Sequence, residues 1–448
     1  MEQQSYLKEL QNKIENLFSN WHIGWLGKTV CSPIFWIEAL FILTVLWGYS
    51  KYYTLPADTN SYYSYSSNIF LGETDEYRTP FYPYIIKAIT FITREKLQLN
   101  YIGGTETRLF TSGEFSVHCL IVLQTLVMGI SLYILYYSAK LIIESPVLLF
   151  STILFTGVGL SNYPRWISTE SLSISFIMIF ISLMINYLTN PTIVKAAGIS
   201  LFSLLLVMLR PVFIYIVALL LAFWLMRILF SSSRITAFVG LIGILITSAC
   251  ILGYCKLNER NHGFFGISQT GTANQISRII CTGFYKFGSD PEINRFIESQ
   301  NPDLSNSMQG DIYRALLKKF SYNQVEQYSK STIRNNIIPY GICCLKYMWW
   351  DGYKRYWNLC YLVGMADFIL CIVLWIGFRQ IPWLRLGMWG LFYGLIAVIY
   401  INTTCDYERL CSPCLPALYI IIARYVDMLV IASAKPREEF IQYMKSTL

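Results

Sequence analysis

Charged side chains are scarce in this chain of 448 residues: 35 Lys and Arg and 27 Asp and Glu, or 14%. The few that border or interrupt apolar runs are therefore the ones whose chemistry needs a reason. Asp58 is the first acid after an apolar run that ends near residue 50, and Asp75, Glu76 and Arg78 follow in a segment rich in Tyr, between Tyr62 and Tyr82. Arg165 and Glu170 flank the start of another run, Arg210 interrupts one just before Pro211, and Tyr407 and Arg409 precede the last. Carboxylates at such boundaries can accept protons, and Arg carries a rigid fork of donors that matches phosphate. Arg210 is the sharpest of these, because an ionisable group in an apolar stretch costs a few kcal/mol unless it is paired or reaches a polar cavity. Structural readings stand beside each. Asp58 before Thr-Asn-Ser is a good helix N-cap, Arg78 and Arg210 could anchor at lipid headgroups, and Glu170 could complement a helix dipole.

The elements that must position these residues are membrane helices. Hydrophobic residues make up 54% of the chain, more than one soluble core can bury. Apolar runs long enough to cross a bilayer lie near 33–50, 115–136, 146–163, 169–188, 193–209, 211–230, 235–254, 358–378, 383–401 and 413–432, with Pro164, Pro191 and Pro211 at breaks. The expected fold is an all-α polytopic membrane protein of about ten transmembrane helices. Basic residues set its direction. One set of short connections carries Lys140, Lys195, Arg227, Arg234, Arg379 and Arg385, and the tail carries Lys435, Arg437 and Lys445; the opposite connections carry Arg165, Arg210 and Arg409. Both termini are thus expected in the cytoplasm and two long connections outside.

The expected organisation is a cytoplasmic amphipathic segment (1–32), a membrane module (33–254) that includes an outer loop (51–114), an outer lid (255–357), final membrane helices (358–432) and a cytoplasmic tail (433–448). Within the outer parts we expect interfacial helices over Ser61–Leu71, stopped by Gly72, and over Tyr84–Ile92, with amphipathic helices over Tyr313–Tyr328 and Lys346–Trp357. His262, beside Gly263, is an outer-loop residue that could meet substrate. No second CxxC or nearby His accompanies Cys411-Ser-Pro-Cys414, so a zinc site is not expected. The net charge of +8 is spread thinly among apolar runs, which points to membrane lipids and not to nucleic acid.

Asp58 with Tyr62, Gly72 and then Arg78-Thr-Pro80-Phe-Tyr82-Pro83 resembles the first external loop of membrane glycosyltransferases of the GT-C fold, such as protein O-mannosyltransferases and aminoarabinose transferases. Ser168-Thr-Glu170-Ser-Leu, Arg210-Pro211 and Asp406-Tyr407-Glu408-Arg409 resemble later segments of that superfamily in the same order. The resemblance implies a donor sugar on a polyprenyl phosphate and an acceptor hydroxyl on a lipid, protein or polysaccharide, joined on the extracytoplasmic side. Asp58 would be the general base. Arg78, Arg210, Arg409 and Arg165 would hold the donor phosphate, with Asp75, Glu76, Glu170, Tyr62, Tyr82, Tyr407 and His262 in support. No cofactor is required. Paired loop carboxylates would suit Mg²⁺ or Mn²⁺, but no compact Asp-x-Asp commits the loop to a metal. The ending Met-Lys-Ser-Thr-Leu carries no retention signal, and a bacterial inner membrane is the expected location. The alternatives are a polysaccharide polymerase or ligase using a polyprenyl-diphosphate-linked glycan, a transporter or flippase, and a membrane scaffold without activity.

Overall fold

The computed structural model describes residues 32–49, 59–95, 98–100, 109–230, 233–304, 309–350, 355–378, 382–403 and 407–434. The helices follow the apolar runs: α1 (Pro33–Tyr49), α2 (Thr59–Tyr63), α3 (Phe81–Thr93), α4 (Glu114–Ala139), α5 (Pro146–Gly159), α6 (Glu170–Thr189), α7 (Ile193–Leu209), α8 (Ile214–Phe230) and α9 (Arg234–His262). Then come α10 (Thr270–Cys281), α11 (Pro291–Ser299), α12 (Gly310–Lys319), α13 (Tyr322–Asn335), α14 (Ile337–Trp350), α15 (Arg355–Phe378), α16 (Trp383–Asn402), α17 (Tyr407–Cys411) and α18 (Leu415–Ala434). An antiparallel hairpin, β1 (Gln98–Asn100) with β2 (Leu109–Ser112), adds strands that an all-α reading lacks.

Seven helical stretches among the described residues are long and apolar enough to cross a membrane: Glu114–Ala139, Pro146–Arg165, Glu170–Thr189, Pro211–Phe230, Arg234–His262, Trp383–Asn402 and Arg409–Ile431. The chain is a polytopic helical membrane protein. Shorter apolar helices cover Pro33–Gly48, Ile193–Leu209 and, inside α15, Gly364–Val373. Helices break near each of the three prolines. A 3-10 turn holds Pro164; α6 ends at Thr189 and α7 at Leu209, and the residues that follow, Asn190 and Arg210, are extended, because Pro191 and Pro211 push the residue before them into extended backbone.

Helix α6 lies at the centre of the bundle and packs on α4, α7, α16 and α18. Its small polar residues make that possible. The buried hydroxyls of Ser173, Ser175 and Ser182 donate to the carbonyls of Thr169, Ser171 and Met178 at 2.7–2.9 Å, so they need no partner across the interface. Asn186 Nδ2 donates to Ser138 Oγ of α4 at 2.7 Å. Small and hydroxyl residues of this kind let membrane helices approach closely. Between α8 and α16 the same role falls to glycines. Tyr215 lies on Gly394, where a Cβ would come within 2.6 Å of its ring, and Leu219 lies on Gly390. The Tyr215 hydroxyl donates to the Leu391 carbonyl at 2.8 Å.

Both long connections fold over one end of the bundle. Thr59 Oγ1 donates to the Ile167 carbonyl at 2.9 Å and Thr79 Oγ1 to the Leu209 carbonyl at 3.4 Å. The second connection forms a helical unit from α10 to α14 around Ile276, Ile280, Ile293, Leu316, Val325 and Tyr340. It grips the end of α16: Gln275 Nε2 donates to Asn402 Oδ1 and Tyr340 Oη to the Ile401 carbonyl, both at 2.7 Å. The two connections also bond to each other, through Gln269 N to the Glu76 carbonyl (2.8 Å) and Ser268 Oγ to the Tyr77 carbonyl (2.7 Å).

Lys346–Trp357 meets the end of α14 and the start of α15, with residues 351–354 outside the described residues, and two other expected helices are divided. Ser61–Leu71 holds only α2 and a 3-10 turn at Ile69–Leu71. Between them Asn68 Oδ1 accepts from Phe70 N and Ser67 Oγ donates to the Thr74 carbonyl, which are local bonds that compete with a continuous helix. Tyr313–Tyr328 is divided at Ser321, whose side chain and that of Gln324 form a capping box that starts α13.

The opposite end holds a second set of buried charges. Arg385 of α16 pairs with Asp367 of α15, whose Oδ2 also accepts from Trp389 Nε1 at 3.0 Å. On α18, Arg424 donates to the Ile142 carbonyl, and Asp427 accepts the amides of Glu144 and Ser145 at 3.0 and 3.1 Å. One face of α18 thereby closes the turn between α4 and α5.

Candidate functional site

Three chain breaks converge at the end covered by the long connections. The first is the start of α6. Glu170 occupies its first position, 3% exposed, and its N-cap Thr169 makes no side-chain cap. The second is the step between α7 and α8. Arg210 precedes Pro211 and is extended, with φ −149° and ψ 115°. That conformation takes its side chain out of the helical path, and its guanidinium stands 3.7 Å from Glu170 Oε1. The third is α17, a five-residue helix ended by Pro413, from which Arg409 Nε reaches the same Glu170 oxygen at 3.6 Å. One buried carboxylate thus sits between two arginines that are 199 positions apart in the chain.

An isolated buried charge is strongly unfavourable, and the carboxylate compensates two cations at once. The compensation leaves polar capacity over. Among the described residues, Glu170 Oε2, Arg210 Nη1, Ser168 Oγ and Ser171 Oγ are buried without a hydrogen-bond partner. Two arginines with one carboxylate, beside hydroxyls at a helix N-terminus, carry a net positive charge and spare donors. That set is suited to an anion with several oxygens, such as phosphate.

The first long connection supplies a third cation. Arg78 Nε donates to Ser61 Oγ at 2.8 Å and Nη1 to the Tyr62 hydroxyl at 3.3 Å, while its carbon centre lies 4.6 Å above the Tyr62 ring. Thr79, the next residue, bonds to Leu209, the neighbour of Arg210. Tyr62 meets Tyr82 edge-on at 5.0 Å. Tyr82 is fully buried and donates to Gln124 Oε1 at 3.1 Å. Burial, with Tyr63, Tyr62 and Glu170 nearby, holds its phenol well above the ordinary range, so it stays a donor. Gln124 in turn donates to the carbonyls of Pro164 and Trp166 at 2.8 and 3.1 Å, which fixes the turn leading to Glu170.

The other expected residues have different surroundings. Asp75 Oδ1 accepts the amides of Tyr77 and Arg78 at 2.8 and 2.7 Å, so it shapes the backbone that carries Arg78. Glu76 faces Gln269 at 3.4 Å. These two carboxylates have separate partners, and among the described residues no group of three His, Cys, Asp or Glu is gathered. Arg165 donates to Asn162 and lies on the last turn of α1, where Gly48 leaves room for its guanidinium. His262 Nε2 lies 2.7 Å from the Thr74 carbonyl and joins the two long connections. Tyr407 stacks on Tyr400 at 4.3 Å and bonds to Arg278 at 2.8 Å. Asp58, the expected base, lies outside the described residues; Thr59, next to it, is bonded to Ile167 three residues before Glu170.

Gln124 and Arg278 were not singled out in the sequence, and Thr79, Ser168 and Ser171 stood there only as members of the quoted segments, with no role. Gln124 had a readable signal, a lone amide in a long apolar helix. Arg278 had none, since a loop helix with mixed residues gives no reason to expect one buried Arg.

An apolar cavity of about 260 Å³ opens between α6, α8 and α16, lined by Met184, Leu219, Phe223, Trp383, Met388 and Leu391 among others. Its nearest wall residue on α8, Ile216, is six positions beyond Arg210, roughly 10 Å along the chain axis. No protein-family model and no curated protein matches the chain.

Proposed function

We propose that the protein is a membrane glycosyltransferase of GT-C type that moves a sugar from a polyprenyl-phosphate donor to an acceptor hydroxyl on the extracytoplasmic side. The observation that carries this reading is the convergence of Arg210 and Arg409 on buried Glu170, with unpartnered polar atoms around it. An anionic head bound there would be continuous with an apolar chain running along α8 into the cavity. Such a donor combines a charged head with a greasy tail, and this pairing of sites supports it over a wholly soluble substrate.

In the reaction the acceptor oxygen attacks the anomeric carbon as the bond from that carbon to the phosphate oxygen breaks. The electron pair leaves with the phosphate. Arg210, Arg409 and Arg78 stabilise the growing negative charge, and Glu170 keeps the first two from repelling each other before the donor arrives. The hydroxyl proton passes to Asp58. A single displacement with one base inverts the anomeric centre. Both termini would then be cytoplasmic, in a bacterial inner membrane, with about ten crossings.

The test is turnover of a polyprenyl-phosphate-linked sugar by the purified protein. Asp58→Asn should lower turnover by about 10² to 10⁴-fold with donor binding retained, whereas Arg210→Ala should weaken donor binding itself. Near-normal turnover by Asp58→Asn removes the base, and undiminished donor binding by Arg210→Ala removes the phosphate site.

A further inference from the structure

Arg409 is carried by α17, a helix of only five residues. So short a helix has little stability of its own, and its position must come from what holds it. At its far end Ser412 Oγ donates to the Arg409 carbonyl at 2.7 Å, and the turn that follows is buried in the bundle. At its near end stands Tyr407, whose ring is stacked parallel to Tyr400 at 4.3 Å and whose hydroxyl donates to the Thr403 carbonyl at 2.9 Å.

That hydroxyl also accepts from Arg278 Nη1 at 2.8 Å, and the same nitrogen lies 3.5 Å from the Thr403 carbonyl. Arg278 is 1% exposed and belongs to α10 of the outer helical unit, where its neighbours Ile276, Ile279 and Ile280 form part of that unit's core. One guanidinium therefore ties the outer unit to the joint between α16 and α17. Around it, Gln275 and Tyr340 bind Asn402 and Ile401 from the same unit. The joint is gripped on three successive residues, and Arg409 follows Tyr407 by two positions.

We propose that Arg278 is a positioning residue for Arg409: by fixing Tyr407 it sets where the Arg409 guanidinium stands against Glu170, and so makes the outer helical unit part of the phosphate-binding device. This rests on the reading of the site as a lipid-phosphate site. Arg278 touches neither Glu170 nor, in this scheme, the donor. Its effect passes through Arg409 alone, which distinguishes it from a general contribution to folding.

Binding of undecaprenyl phosphate to the detergent-solubilised protein, measured for the four members of a double-mutant cycle, tests this. Arg278→Gln should weaken binding by about tenfold in an otherwise unchanged protein. In an Arg409→Gln background it should change binding by less than about twofold, because the residue it positions is gone. In an Arg78→Gln background its full effect should persist. An equal effect of Arg278→Gln with and without Arg409 would overturn the proposal, as would binding within twofold of the wild type for the single variant. Should Arg278→Gln not fold, Tyr407→Phe replaces it in the same cycle, since it keeps the ring stack and removes the bonded hydroxyl. A wild-type protein that does not bind the lipid would overturn the functional reading instead. The positioning claim is then decided by a spin label at Arg409→Cys, whose mobility must rise when Arg278→Gln is added and whose unchanged spectrum would refute it.

Discussion

Glu170 does two jobs with one carboxylate, and the chemistry of buried ions says what its loss would do. With Oε1 3.7 Å from Arg210 and 3.6 Å from Arg409, it is the anion that makes two adjacent cations tolerable at low exposure. Breaking a buried pair by removing one partner typically costs 3–5 kcal/mol. Glu170→Gln should therefore lower stability by about 3 kcal/mol, seen as a reduced melting temperature in detergent, and phosphate ions or a lipid phosphate should restore part of it. An unchanged melting temperature would mean that the two arginines do not depend on Glu170. At this scale the sequence was informative where a charge stood out against apolar neighbours. Arg210, Glu170 and Arg409 were each visible for that reason. Their meeting was not visible, because it depends on three chain breaks reaching one place. Arg165, equally visible, proved to rest on Gly48 of α1, a contact that nothing in its local sequence announces.

Among the elements, α18 shows how a membrane helix can be held in register by polar groups. Arg424 and Asp427, three residues apart, face the same side and bind opposite kinds of backbone group in the turn from α4 to α5: a carbonyl at Ile142 and amides at Glu144 and Ser145. These two ionisable groups within a span are thus bonded to local backbone. Hydrogen bonds to charged groups contribute about 1.5–3 kcal/mol. Asp427→Ala should speed amide exchange across residues 140–146 by at least tenfold while leaving exchange in α9 unchanged; equal protection in both proteins would show that the turn holds without the clamp. Helix positions were legible because apolar runs and prolines dictate them. The division of Ser61–Leu71 and of Tyr313–Tyr328 was not, since it came from side-chain bonds to local backbone that compete with helix on nearly equal terms.

For the molecule as a whole, the leading feature is the gathering of both long connections at one end. The alternation of basic residues between short connections implied that these two segments share a side, and the fold places them together, bonded to one another through Glu76, Tyr77, Ser268 and Gln269. Cysteines introduced at His262 and at Lys195 should react with a membrane-impermeant thiol reagent from opposite faces of sealed vesicles. Reaction from the same face would invalidate the orientation and the extracytoplasmic assignment with it. What no composition or spacing could supply is how the two long connections interlock, because their helices are short, mixed in polarity and joined by single side chains.

Tyr215 and its glycine seat have one more implication. The phenol is clasped to Leu391, a wall residue of the greasy chamber, and its ring rests on bare backbone at Gly394. The closeness of that contact is set by hydrogen atoms where any other residue would place a carbon 2.6 Å from the ring. A one-carbon graft at position 394 would thus wedge α8 from α16 without altering a single charge, so the fit of these two helices and the ionic cluster can drift apart in evolution as independent traits.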